Sequence, residues 1–431
     1  MYSIGLMSGT SMDGIDAALL DTDGISAITE LANISISYSM EFKILLKALE
    51  MTVKAHVGHL NLTKQNFPKI LNSYLTNELN ISDKNIKETL QRLSQYLYKN
   101  NHTSITADDV IAHSTQLHAK AVLSLLKKTN LSANNIDVIG YHGQTLFHSP
   151  AHKISLQIGL GDQLADQLGI TVVNDFRSND INHGGQGAPF APLYHQALAI
   201  RDHKIPLVVV NCGGIANVSI ICGKDEQQLF GFDTGPGNGL IDRYIKQKTH
   251  GQEHMDKNGK YGLQGNVDMN MFALLYQRSI QLHGKNFFDI PPPKSLDIGD
   301  MQLPEEINEL EFRDACATLE AFTADTIVRS IDYFPIQPLH WILAGGGWHN
   351  PVIYSELVNR LKLRLGSSVL VETATEAGWN NAAMEAQIFA YLAVRSLKGL
   401  PISYPSTTLV PYPLSGGHIH KPSVGIKTCA D

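Results

Sequence analysis

Short apolar runs broken by polar punctuation fill the first forty residues, and a helical rhythm takes over for the next sixty. Residues 2–7 and 15–20 read as two strands, and residues 25–40 as a third, extended stretch. Residues 41–100 are predicted to be helical, with "FKILLKALEM" and "IKETLQRLSQYLYKN" at helical spacing. Thr106 and Asp109 have the spacing of a capping box that opens a helix through about Lys128. "IDVIGYHGQT" is predicted as strand plus loop, "ITVVNDFR" as a strand running into a loop, and "IPLVVVNCGGIANVSIIC" as a hairpin. "LFGFDTGPGNGLIDRYI" and "WILAGGGWHNPVIYSELVNRL" each read as strand, glycine loop and helix, and residues 381–397 as a helix. Residues 250–305, with their glycines, lysines and prolines, read as an insertion or a long loop. Strand and helix alternate, so the class is α/β.

A length of 431 residues favours two domains. A strand–polar turn–strand unit opens the chain and recurs near residue 206, which divides it into 1–205, with a helical insertion at about 42–105, and 206–431. The helix at 381–397 is expected to pack back on the first part. With 43% hydrophobic and 17% charged residues the chain is globular, and a net charge of −7 without a basic run argues against nucleic acid or an anionic membrane as partner. The four cysteines form no CxxC pair, and no apolar run approaches the ~20 residues of a membrane span. With no secretory signal visible, a cytoplasmic location is the expectation.

Several motifs are absent. There is no GxxxxGK[ST], no HExxH and no GxSxG, and "GLGDQL" and "GPGNGL" lack dinucleotide-fingerprint spacing. His113 and His118 fall on different faces of their helix, so a transition-metal site is not expected. What remains is backbone chemistry. The turn between the first two strands holds Ser8, Gly9, Thr10, Ser11, Asp13 and Gly14. It suits a polyphosphate, with Asp13 or Asp16 near a hydrated metal ion, or it is a plain polar turn. Gly213 and Gly214 offer a second cradle or a structural hairpin. Asp233, Thr234, Gly235 and Gly237 suggest a nucleotide or substrate loop at a strand end. Gly345, Gly346 and Gly347 would let a flat ring lie on the backbone. Asp175, just after a buried-type strand, could take a proton from a hydroxyl or a water; Arg177 could hold a carboxylate or phosphate, or pair with it as a loop cap. His142, Gln144 and Thr145 suit sugar hydroxyls or merely their own loop.

In this order, "GLMSGTSMDGIDAAL", "YHGQT", "VNDFR", "NCGGIANVS", "FDTGPGN", "AGGGWHN" and "AMEAQIFAYLA" resemble the anhydro-N-acetylmuramic acid kinases, as far as about residue 415. The segments at about 42–105 and 250–305 depart from the family pattern without interrupting the motifs. The resemblance implies two ribonuclease-H-like domains of the actin/hexokinase type with a nucleotide cleft between them. It implies ATP as cofactor, its phosphates held by Gly9, Thr10, Ser11, Met12, Asp13, Gly14, Ile15 and Asp16 and by Gly213 and Gly214. Asn217, Asp233 and Gly235 would join the nucleotide contacts, and Gly345, Gly346, Gly347 and Asn350 would support the adenosine. Mg2+ would sit with Asp13 and Asp233 as outer ligands. Asp175 would be the catalytic base, and His142, Gln144, Thr145, Arg177 and Glu385 would contact the substrate, 1,6-anhydro-N-acetylmuramic acid. The implied reaction is ring-opening hydrolysis with phosphorylation of O6, in peptidoglycan recycling, by a homodimer. Two rivals stand beside it: an actin-like ATP-binding scaffold or regulator without a sugar substrate, and a glycosidase without ATP chemistry.

Overall fold

The structure is a computed structural model that describes residues 1–9, 11–98, 104–282 and 284–423, the side chain of Asp83 excepted. In chain order it runs β1 (Tyr2–Ser8), β2 (Gly14–Thr22), β3 (Ile28–Ser37), α1 (Met40–Ala55), α2 (Leu60–Asn77), α3 (Asp83–Tyr98), α4 (Ala107–Thr129), β4 (Val138–Ser149), β5 (Ile154–Ile158), α5 (Gly161–Leu168), β6 (Val172–Asn174) and α6 (Ser178–Asn182). It continues with α7 (Ala191–Arg201), β7 (Leu207–Cys212), β8 (Ile215–Ile221), β9 (Leu229–Pro236), α8 (Gly239–Lys248), α9 (Met269–Arg278), β10 (Gln281–Leu282), β11 (Lys285–Asn286), α10 (Phe312–Arg329), β12 (His340–Ala344), α11 (Pro351–Leu365) and β13 (Leu370–Thr373). It closes with α12 (Met384–Leu397) and β14 (His418–His420). Two compact units result: Met1–Phe190 with Ala383–Pro405 and Val410–Asp431, and Ala191–Ala382 with Ser406–Leu409. The first unit ends before α7 and takes in α12.

The first unit is built on a sheet of order β14-β6-β4-β1-β2-β3, with β5 paired to β4. β1, β2 and β3 form an antiparallel meander, while β4 and β6 run parallel to β1. Apolar positions of α1, α2 and α4, among them Phe42, Phe67 and Val122, bury against one face. α12 lies on the other. There the sequence supplies glycine where two backbones meet: a Cβ on Gly5 would lie 1.8 Å from the Ala386 carbonyl oxygen, and one on Gly140 would lie 2.0 Å from that of Phe389. The second unit repeats the plan. Its sheet has the order β13-β12-β7-β8-β9, with β7, β8 and β9 antiparallel and β12 and β13 parallel to β7. Three meandering strands followed by two parallel ones, in the order 3-2-1-4-5, are the ribonuclease-H-like topology, present here once per unit.

Three expectations change. "HGQT" is not a loop but part of β4, which runs on to Ser149 because β5 pairs with its second half, across a bulge between Thr145 and Phe147. Asp233 lies inside β9, not at its end. Residues 250–305 are not a long loop: α9 and its flanking turns bury Met271, Phe272, Leu275, Phe287, Phe288 and Met301 in one core with α8 and α10. These apolar residues are spaced too irregularly for one element, so periodicity alone does not reveal the packing.

Gly5→Ala should destabilise the first unit by at least about 1–3 kcal/mol, because backbone carbonyls cannot swing aside for the added methyl. A lowered urea midpoint would register this; an unchanged midpoint would mean α12 is not seated on β1 as described.

Candidate functional site

The turn after β1 is pinned from several sides. The Met12 N–H donates to the Gly9 carbonyl at 3.0 Å, with Met12 in the left-handed region (φ 57°) and its side chain buried. The Ser8 hydroxyl donates to the Gly14 carbonyl at 3.0 Å and also contacts the Tyr38 hydroxyl. From β4, the fully buried Gln144 sends its Nε2–H to the Gly9 carbonyl at 2.9 Å, while its Oε1 finds no partner among the described residues. The nucleotide candidates in this stretch therefore divide. Ile15 is core, and a Cβ on Gly14 would clash at 2.3 Å with the Ile36 carbonyl oxygen. Asp16 bonds the Ser35 hydroxyl. Gly9 and Ser11 face outward, and a Cβ on Gly9 would meet nothing nearer than the Ser11 Oγ at 3.5 Å. Asp13 is exposed and paired with Lys43 at 3.2 Å. Thr10 lies outside the described residues.

Asp175 follows β6 directly, exposed and at φ 50°, a conformation that costs energy for a residue with a side chain. Its Oδ1 accepts from the Ser178 hydroxyl at 2.6 Å and the Ser178 N–H at 3.3 Å. That Asp-x-x-Ser spacing, overlooked in the sequence, is the signature of a carboxylate capping the turn it precedes. Asp175 lines a cavity of about 260 Å³ with Tyr141, His142, Gln157, Asn174 and Ser178. A second cavity, of about 400 Å³, is walled by Gly9, Ser11, His142, Thr145, Arg177 and Glu385.

His142 borders both cavities, and its bonds fix its protonation. The Arg177 guanidinium can only donate, so the His142 Nε2 at 3.0 Å accepts, and Nδ1–H donates to the Gly143 carbonyl at 2.9 Å. Burial, then the charge of Arg177, holds its pKa well below the ordinary histidine value, which keeps it neutral. The remaining Arg177 terminal nitrogen donates to the Gly187 carbonyl at 2.8 Å, and the Gly187 N–H donates to buried Asp180 at 2.6 Å. Burial lowers the Arg177 pKa to about 10, opposed by Glu385 and Asp180, so it stays charged near neutrality. Both terminal nitrogens of Arg177 thus make bonds within the protein. Thr145 is half-buried and accepts from Gln157 at 3.3 Å. Glu385, at the start of α12, keeps solvent access; the protein crowded around it and the Asp16 carboxylate raise its pKa, and Arg177 opposes them.

In the second unit, the Gly213–Gly214 turn is held by the loop after β9: the Asn238 N–H donates to the Gly213 carbonyl at 2.7 Å, and those of Gly237 and Gly239 donate to Gly214 at 3.1 and 3.0 Å. On its other side Gly213 is open. Asn217 sits in register between Asn211 and Asp233. Asp233 accepts the Leu296 N–H at 2.7 Å, and desolvation raises its pKa to about 7 against that bond. Gly235 is at φ 153°, where a Cβ would press on Thr326. Of the glycine triplet, Gly345 (φ 93°) and Gly347 are required by contacts with Cys212, and only Gly346 opens to empty space. Asn350 turns inward: its Oδ1 caps α11 at Val352 N–H (2.9 Å), and its Nδ2 donates to Glu320 Oε1 at 2.5 Å. Fully buried Glu320 is thus a support for this loop that the sequence does not announce. Burial raises its pKa to about 9, with Asn350 opposing and Asp256 assisting.

A family model described as anhydro-N-acetylmuramic acid kinase matches residues 83–421. The chain belongs to the anhydro-N-acetylmuramic acid kinase family. A protein of that name from Rhizorhabdus wittichii is 38% identical over 425 residues, covering 98% of this chain and 99% of its own. Another, from Nitrobacter winogradskyi, is 36% identical over 428 residues, covering 98% and 100%. A hexokinase from Thermus thermophilus aligns with a TM-score of 0.36 at 10% identity, over 91% of this chain and 100% of its own, a likeness too slight to argue from. Kinase relatives leave the scaffold alternative without support.

In the first unit Gly9 keeps an open face, and in the second unit Gly213 and Gly346 do. For Mg2+, no group of three or more His, Cys, Asp or Glu among the described residues is arranged as a metal cage. Asp13 suits an outer partner of an ion carried by phosphates; Asp233, committed to Leu296 and with its raised pKa, suits one poorly.

Two outcomes test this geometry. Arg177→Lys supplies one point charge in place of a fork, so one charged hydrogen bond is lost; a stability loss of about 1.5–3 kcal/mol and a changed His142 ring 15N signature are expected. Folding takes up a proton on Glu320 between its ordinary value of 4.5 and about 9, so its contribution to stability falls as pH rises through that window. Glu320→Gln should remove this alkaline loss, measured as a flatter Tm between pH 7 and 9.

Proposed function

We propose that the chain is an ATP-dependent kinase that hydrolyses the 1,6-anhydro ring of anhydro-N-acetylmuramic acid and phosphorylates O6, giving N-acetylmuramate 6-phosphate and ADP. The observation that carries this reading is Asp175: an exposed carboxylate on a left-handed backbone, lining a cavity of about 260 Å³, in a chain 38% identical to a kinase named for that sugar.

O6 of the anhydro sugar is tied up in an ether and cannot attack phosphorus until the ring opens. A base must therefore serve a water. Asp175 takes a proton from the water as its oxygen bonds to the anomeric carbon; the bond from that carbon to O6 breaks, and O6 takes the γ-phosphoryl group. Ring opening and phosphoryl transfer together replace the second carboxylic acid that glycoside cleavage ordinarily needs. His142 is no rival base, since both its nitrogens are engaged. Arg177 holds His142 and the loop at Gly187, which favours a positioning role over the substrate contact expected from the sequence. Thr145, in the wall of the second cavity, is offered to the sugar, and Glu385 faces that cavity beside Gly9 and Ser11; Gln144 is fully buried and bonded to the Gly9 carbonyl, which favours holding the opening turn over the substrate contact expected from the sequence. Within the first unit, the backbone at Gly9 and Ser11 would meet phosphate oxygens; within the second, Gly213 and Gly346 are the bare backbone positions of the glycine motifs. Mg2+ would neutralise phosphate charge, with Asp13 as outer partner.

The same reading assigns the enzyme to peptidoglycan recycling in the cytoplasm as a homodimer, as the family resemblance implies. No described helix is long and apolar enough to cross a membrane.

ADP release should depend on the anhydro sugar. Asp175→Asn should lower it by about 10²–10⁴-fold while nucleotide binding, followed by calorimetry, persists. Sugar-independent turnover would favour a scaffold ATPase, and sugar hydrolysis without ATP a glycosidase.

A further inference from the structure

The end of the described chain returns to β6, the strand that leads into Asp175. β14 pairs antiparallel with β6: His418 lies opposite Asn174, Ile419 opposite Val173, and His420 opposite Val172. β6 has only three residues, and its other edge pairs with β4. Side chains extend the contact to both sides of Asp175. The His420 Nε2–H donates to the Asn174 Oδ1 at 2.9 Å, and the Asn179 Nδ2 donates to the Ser415 carbonyl at 2.7 Å. Further along, the Ser423 N–H donates to Asp166 on α5 at 2.7 Å.

The fit is close enough to need glycine twice. Gly417 is at φ 86°, where a Cβ would lie 2.5 Å from Val173 Cγ1. A Cβ on Gly161 would lie 2.7 Å from the His420 ring and 2.9 Å from the Asn174 Nδ2. Asn174 shares the wall of the Asp175 cavity.

A three-residue strand followed by a residue at φ 50° does not hold that conformation by itself; its surroundings must over-determine it. We propose that residues 415–423 form a positioning strap for Asp175, and that His420 is a positioning residue acting through Asn174. The strap covers the outer edge of β6, fixes the Asn174 amide in the cavity wall, and keeps Asp175 from relaxing. This rests on the reading of Asp175 as the base.

The test uses the full chain with His420→Ala, His420→Gln, Asn174→Ala and the His420→Ala/Asn174→Ala double variant. Glutamine can still donate to the Asn174 Oδ1; alanine cannot. His420→Ala should lower kcat by about ten- to a hundredfold while KM for ATP stays within about twofold. His420→Gln should recover most of the loss, and the double variant should be no worse than the poorer single one. Amide exchange at Val172–Asn174 should quicken in His420→Ala and return toward the native rate in His420→Gln. A kcat within twofold of native in His420→Ala, equal loss in the alanine and glutamine variants, or additive effects in the double variant would overturn the proposal. Asp175→Asn, run alongside, separates the two readings. Native turnover in that variant would sink Asp175 as the base, and the exchange pattern would then decide alone whether the strap holds β6.

Discussion

Parallel pairing of β1, β4 and β6 is the constraint on which the first unit's chemistry depends. Parallel strands end on the same edge of a sheet, and in open α/β sheets that carboxyl edge is where polar site residues collect. The register sets Ser8 beside Gln144 and Tyr141 beside Asn174. The opening turn, the "HGQ" stretch and Asp175 therefore emerge together, although they come from three separate parts of the chain. The bond from Gln144 to the Gly9 carbonyl ties two of those parts directly.

Around that edge, the buried polar groups are mostly occupied with one another. His142 is held between Gly143 and Arg177, Arg177 between His142 and Gly187, and Gly187 between Arg177 and Asp180. Buried donors and acceptors left unpaired are costly, so such a chain rigidifies the wall of both cavities. Asp175 differs: it is exposed, it spends one carboxylate oxygen on Ser178, and its backbone is strained. A rigid wall and an outward carboxylate held at a fixed point are what proton abstraction requires.

The second unit uses the same strand order differently. Its glycines serve packing more than openness: Gly237 and Gly239 sit against the Gly213–Gly214 turn, and Gly345 and Gly347 against Cys212. Within these two motifs, Gly213 and Gly346 keep a bare side. A glycine-rich stretch thus contains both structural and exposed glycines, and the distinction rests on neighbours, not on the motif.

The sequence by itself determined the local elements: the two hairpins, the capped helix after Thr106, the helix at α12, the alternation that makes the class α/β, and a motif order that points to one kinase family. These are properties of consecutive residues, so periodicity and turn chemistry report them. Only the tertiary structure decided that β4 continues through "HGQT", that residues 250–305 bury a core, and that the Arg177 terminal nitrogens and the Asn350 amide bond inward. It also decided that a tail with no readable motif covers β6. Each of these depends on partners far apart in the chain, such as Gln144 with Gly9 across 135 positions and His420 with Asn174 across 246. Whether a polar side chain is available to a ligand depends on which partners the fold brings to it, and no local pattern carries that information.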